Sequence, residues 1–248
     1  MKKKILLALS FVLVAVLSVG LTFALLTYED SDHNTMTIGQ AKIEQLEYQR
    51  DENGKLEEFV QDKLLLPTTT TPAWANENQS WAEIGAPGSN QLFADSFTNV
   101  KDKFVFVKNT GSVDVYYRTI IAIEAPVGSE LENGDTAIST NINGNERFEW
   151  EHIKNDDILY IEIEDVRYYV LVANYKERLT KAEVSRPSLL QVYMGKKATN
   201  EIVKTFGDKV DILVYSQAVQ ADGYNDAKTA LNDAFGEINA NNHPWLNK

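Results

Sequence analysis

The chain of 248 residues contains no cysteine. Disulfide staples, thiolate nucleophiles and cysteine-bound zinc are therefore excluded, and an exported form has to rest on its hydrophobic core alone. Histidine is scarce: His33, His152 and His243 are the full set, and no HExxH pair occurs. A histidine zinc site would require these three distant positions to converge. His152 lies in WEHIKND, flanked by Glu149, Glu151, Asp156 and Asp157, and reads more simply as a solvated histidine. No GxSxG nucleophile elbow and no glycine-rich phosphate loop is present, so no catalytic residue is assigned. Basic side chains are outnumbered 24 to 36, for a formal net charge of −12. Such a surface repels phosphate backbones, which argues against nucleic acid as a partner.

One long uncharged run does occur, at the N-terminus. Lys2, Lys3 and Lys4 precede the stretch Ile5–Thr27, which carries no charge over 23 residues. A bilayer needs about 20 apolar residues, so length alone permits an anchor. A basic n-region, an apolar h-region and small residues at its end are also the marks of an export signal. Gly20 breaks the run, and Thr22 and Ala24 stand three and one positions before a cut between Ala24 and Leu25. Cleavage is the expectation. It leaves 21 basic and 36 acidic residues, a net of −15. The lysines place the remainder outside the cytoplasm, and the membrane is met only through the signal segment before the cut.

The rest of the chain reads as strands. TMTIGQAKIEQLEYQ is strand, an irregularity at Gly39, and strand again; DENG at Asp51–Gly54 is a turn. Leu56–Leu66 is ambiguous between an amphipathic segment and an edge strand. Residues 67–89, rich in Thr, Pro, Gly and Asn, read as a long loop pinned by Trp74 and Trp81. KFVFVKNTGSVDVYYRTIIAIE predicts a hairpin: Phe104–Val107, a turn at Asn109–Ser112, and Val115–Glu124 returning. In the return strand Val115, Tyr117, Thr119, Ile121 and Ile123 share one face, and Tyr116, Arg118, Ile120, Ala122 and Glu124 the other. Both faces carry apolar groups, which suits a strand in the middle of a sheet. Glu130–Asn145 reads as a polar excursion. Its oxygen side chains over Glu132–Glu146 leave calcium as an alternative to a solvated loop; no cofactor is assigned, zinc included.

Further strands are predicted at Ile158–Asp165, Arg167–Tyr175, Ser188–Met194 and Val210–Gln220, in the manner of an antiparallel sandwich. A helix follows over residues 226–235. Ala227, Ala230, Leu231, Ala234 and Phe235 fall on one face, with Asn225 as N-cap and Gly236 as the stop. The tail HPWLNK reads as peripheral.

Several of these stretches together resemble the TasA/camelysin family of exported proteins, which are processed by a SipW-type signal peptidase. They are GLTFALLTYED, with the cut after Ala24; TIGQAKIE, Thr37–Glu44; FVKNTGSVDVYYRTIIAIE, with Asn109–Gly111 and Tyr116–Arg118; and SQAVQADGYNDAKTALNDAF, Ser216–Phe235. Leu25 and Leu26 depart from the aromatic pair usual in the family. The resemblance implies a mainly β, jelly-roll-like antiparallel β-sandwich over 35–248, preceded by a signal helix at 1–24 and a leader at 25–34. It implies a secreted, cell-surface or biofilm-matrix structural protein, whose partners are the signal peptidase and then its own copies or related matrix proteins. Fibres would form by N-terminal strand donation, with Leu25, Leu26, Tyr28, Met36 and Ile38 filling a neighbour's pockets. The same segment read without the family is an intramolecular first strand. Two other functions stay open: a camelysin-like surface metallopeptidase, and an adhesin or ligand-binding module using the Trp74–Trp81 loop.

Overall fold

A computed structural model describes residues 27–30, 41–61, 63–70, 73–74, 92–93, 99–144, 146–153 and 157–246. These hold strands β1 (Thr27–Asp30), β2 (Ile43–Arg50), β3 (Leu56–Glu58), β4 (Val100–Asp102), β5 (Phe104–Asn109), β6 (Val115–Glu124), β7 (Ile138–Ile142), β8 (Phe148–Glu151), β9 (Leu159–Ile163), β10 (Val166–Leu179), β11 (Leu189–Met194) and β12 (Ile212–Gln220). Two helices join them, α1 (Asn200–Thr205) and α2 (Ala227–Phe235). The strands form three antiparallel sheets: β1-β12-β6-β10-β8 with β9 also on β10 (sheet A), β3-β2-β5 (sheet B) and β4-β11-β7 (sheet C).

The arrangement is sandwich-like, and β6 shows why. All ten of its residues are buried. Its inner face packs in two groups against the other sheets. Ile121 and Ile123 meet Val105, Val192 and Met194, and Val115 and Tyr117 meet Ile43 and Val107. Its outer face is covered as well. Ile120 and Ala122 cluster with Tyr215, Ile238 and Trp245, and Tyr116 clusters with Ala227, Ala230 and Leu231 of α2. A strand apolar on both sides can sit only where it is covered on both sides, as its sequence demanded.

The predicted hairpin does not form. β5 pairs with β2, whereas β6 pairs with β10 on one side and β12 on the other. The intervening turn crosses from sheet B to sheet A. Its pin is Asn109, wholly buried. The Asn109 amide nitrogen donates to the carbonyls of Val113 at 2.8 Å and Leu179 at 2.9 Å, and its oxygen accepts from the Gly111 amide at 2.9 Å. Partner choice is decided by the long apolar strands β10 and β12, which match β6 along most of its length.

Glu130–Asn145 is likewise more ordered than its polarity suggests. The turn around Asn133 gives way to β7, which pairs with β11, and Ala137 and Ile138 are buried in the core. Two apolar anchors and a β-branched run suffice once a neighbouring strand is available. β10 runs four residues beyond the predicted strand end at Tyr175. Its connection from β9 is the two residues Glu164 and Asp165, both at positive φ, 50° and 66°. This is the backbone of a type I′ turn built without glycine.

The C-terminal helix lies where expected, but its N-cap is Asp226 and not Asn225. The Asp226 carboxylate accepts from the Thr229 amide at 2.8 Å, the N-cap to N3 bond that an acidic side chain makes well. Gly236, at φ 78°, ends the helix. Ala227, Ala230 and Leu231 are buried; Ala234 and Phe235 are half-buried. The tail is not peripheral. His243 and Trp245 are each 7% exposed, and Trp245 meets Tyr215 edge-on at 6.3 Å. A large indole next to an uncovered apolar sheet face gains more by burial than by solvation.

Candidate functional site at the β1–β12 edge

β12 is held along one side by β6. Along the other it carries β1, antiparallel, with Thr27 opposite Val219, Tyr28 opposite Ala218, Glu29 opposite Gln217 and Asp30 opposite Ser216. Of the residues predicted to act in cleavage and strand donation, Tyr28 lies in β1, paired within its own chain. Ala24, Leu25, Leu26, Met36 and Ile38 lie outside the described residues.

The acceptor half of this edge was not anticipated. It consists of Ser216, Gln217, Ala218 and Val219, all buried. Ser216 and Ala218 share the inner face, where Val214 precedes them. Small residues alternating into a core that elsewhere takes Ile and Val are the signal that was available in the sequence. Ser216 also belongs to a polar chain across the sandwich. Its hydroxyl donates to Gln45 Oε1 on β2 at 2.9 Å and lies 3.4 Å from the Thr119 hydroxyl on β6. Buried hydroxyls with partners fix registry at little cost, because desolvation is offset by the bonds made. The strand that receives β1 is thus tied both to its own sheet and to the opposing one.

On the outer face, one step from Ser216, Gln217 accepts from Arg118 Nε at 2.7 Å. Arg118 is 1% exposed. Its remaining donors reach Asn232 Oδ1 at 3.0 Å and the Gly236 carbonyl at 2.9 Å. The guanidinium therefore sits at the C-terminal end of α2, where the helix dipole favours positive charge.

The other candidate sites are dispersed. His33 and Trp81 lie outside the described residues. His152 follows β8 at φ 63°, its Nδ1 3.1 Å from the Asp157 carbonyl and 3.5 Å from the Asp157 carboxylate. His243 is in the C-terminal tail beside Trp245. In the proposed calcium segment, Asp135 accepts from the Asn133 side-chain amide within its own turn. Among the described residues no group of three or more His, Asp or Glu is arranged to hold a metal ion. Trp74 is 58% exposed and stacks on Phe93 at 4.8 Å, which in turn meets Tyr193 edge-on at 5.4 Å. Among the described residues no helix is long and apolar enough to cross a membrane.

No family model matches the chain, and neither any curated protein nor any solved structure shows significant similarity to it.

Proposed function

We propose that the chain is an exported structural protein of the cell surface or biofilm matrix, similar to the TasA/camelysin proteins, and that it assembles by adding its N-terminal strand to the β12 edge of another copy. The observation that supports this is the register of β1 on β12. The paired residues begin three positions after the expected cut at Ala24–Leu25, so processing by a SipW-type peptidase would free the strand that fills this edge. Residues 1–24 are then the signal helix, and the expected leader 25–34 contributes Thr27–Asp30 to the sheet. Residues 35–248 form the remainder of a jelly-roll-like domain.

Backbone hydrogen bonds carry this pairing, and they are the same whether β1 comes from its own chain or from a neighbour. A contact in which one copy gives and the next receives does not close on itself, so it propagates as a filament. The self-filled edge is the resting form, which keeps the monomer soluble until exchange.

The test compares a chain starting at Leu25 with one starting at Thr37, by light scattering and electron microscopy over a range of concentration and pH. The longer chain should form filaments and the shorter should not. Two monomeric samples under all conditions would refute the reading.

A second reading, a surface adhesin or ligand-binding module, is favoured by the exposed indole of Trp74 on its Phe93–Tyr193 support. Loss of binding to matrix polysaccharide on Trp74→Ala would argue for it. The camelysin-like metallopeptidase is carried by the resemblance alone.

A further inference from the structure

After α2 the chain runs as a strap, 237–246, over the outer face of sheet A. Two apolar anchors hold it. Ile238 and Trp245 enter the cluster formed by Ile120 and Ala122 of β6, Val170 and Val172 of β10, and Tyr215 of β12. Between the anchors, Asn239 and Asn242 close a turn through reciprocal backbone bonds of 3.0 Å. The Asn242 side chain donates to the carbonyls of Phe235 at 3.0 Å and Glu237 at 2.8 Å, which ties the turn to the end of α2.

His243 is buried in this strap beside Trp245, ring centroids 6.3 Å apart. Its Nδ1 is buried and has no hydrogen-bond partner, and it forms no ion pair among the described residues. The charged and titratable groups on the elements packed here are committed elsewhere or stay neutral. Arg118 of β6 is bound to Gln217, Asn232 and the Gly236 carbonyl. Glu124, at the far end of β6, accepts from the Asp211 amide at 2.8 Å. Tyr168 of β10 is pushed up to about 12 by burial, and Tyr215 is the phenol against Trp245. β9 offers Leu159, Ile161 and Ile163 to this face. On β8, Glu151 lies opposite Val172 of this face, where it accepts from Asn174 and pairs with Lys228 of α2 at 3.1 Å, with Glu149 3.7 Å from the same ammonium. The Asp211 carboxylate just before β12 pairs with Lys209 at 3.1 Å, and Asp233 of α2 and Glu237 of the strap itself are exposed. A neutral imidazole fits this setting; an imidazolium would be a buried cation with no carboxylate seated on it.

We propose that the strap is a pH-sensitive latch: protonation of His243 releases residues 237–246 from the outer face of sheet A and bares the apolar surface beneath Trp245. Burial lowers the proton affinity of His243 in the docked strap, whereas the released strap returns it to about 6.5. Docking is therefore at full strength above about pH 6.5 and is lost as pH falls through the docked-state value. The ratio of docked to released strap drops by at most about tenfold per pH unit in that window.

The test is hydrogen exchange of the chain from Leu25 onward at pH 7.5 and pH 5.0, corrected for the intrinsic pH dependence of exchange. Peptides covering 237–246 should lose protection at the lower pH, by no more than about thirtyfold, while peptides from β6 and β10 keep theirs. His243→Leu should keep the strap protected at both values, and His152→Asn should behave like the parent. Unchanged protection of the parent strap between the two pH values would overturn the proposal. So would a parent-like loss in His243→Leu, or abolition of the loss by His152→Asn. Should His243→Leu leave the strap open even at pH 7.5, His243→Met takes its place with the same two criteria.

Discussion

The first and last described segments of the chain both lie on sheet A, and they are held by opposite means. At the N-terminal end, β1 adds four residues to an edge through a backbone ladder. At the C-terminal end, α2 and the strap are fixed by individual side chains: Leu231 and Ala230 under the helix, Trp245 beneath the strap, and Arg118 reaching from β6 to the helix end. Side-chain anchors fit one surface. A backbone ladder fits any strand in register. The difference ties the C-terminal end to one surface by its side chains, whereas the N-terminal pairing rests on the backbone ladder that the proposed strand addition would reuse.

Breaking the C-terminal side should cost most. Arg118→Ala removes a fully buried side chain and strands Gln217, Asn232 and the Gly236 carbonyl without their donor. A loss of about 4 kcal/mol is expected, read as a lower urea midpoint at unchanged slope. A loss under about 1 kcal/mol would mean that the helix end is held by something other than this clamp. Leu231→Ala follows at about 3 kcal/mol, from transfer and cavity terms together.

The N-terminal side should cost far less. Ordering four residues consumes about 1–2 kcal/mol each, and their ladder and contacts return a similar amount. A chain starting at Thr37 should therefore stay folded and lose only about 1 kcal/mol. A loss as large as that of Arg118→Ala would make β1 an integral strand and remove the contrast.

The smallest change sharpens the comparison from a neutral part of the same sheet. Glu164 and Asp165 occupy left-handed backbone between β9 and β10. Replacing them with Asn and Gly should stabilise the fold by about 1 kcal/mol, seen as a higher melting temperature with no effect on assembly.

The mainly β character, the apolar groups on both faces of β6, the strands β9 and β10 and the helix near the C-terminus were legible, because each rests on local periodicity. What was not legible depended on distant partners. The NTG turn looks like a hairpin until β10 and β12 claim both sides of β6 and Asn109 turns its amide inward. β7 is hidden in a polar stretch because its neighbour β11 lies some fifty residues ahead. The caps of both helices could have been found: Thr199 caps α1 through Ile202 and Asp226 caps α2 through Thr229, each at the N-cap to N3 spacing. The buried His243 and Trp245 could not, since nothing in HPWLNK announces the apolar face that receives it. At the candidate site Tyr28 stood out in the sequence as a candidate, whereas the edge it pairs with emerged only from the structure of β12.

The absence of natural cysteine makes the most direct measurement clean. Tyr28 and Ala218 face each other across the β1–β12 ladder, and opposed Cα atoms in such a ladder lie within disulfide range. Chains carrying Tyr28→Cys are mixed with chains carrying Ala218→Cys, allowed to assemble, and oxidised. Strand addition between copies predicts disulfide-linked heterodimers that form only in the mixture. If the mixture yields none, while a single chain carrying both substitutions closes on itself under the same conditions, β1 belongs to its own sheet and the assembly account fails.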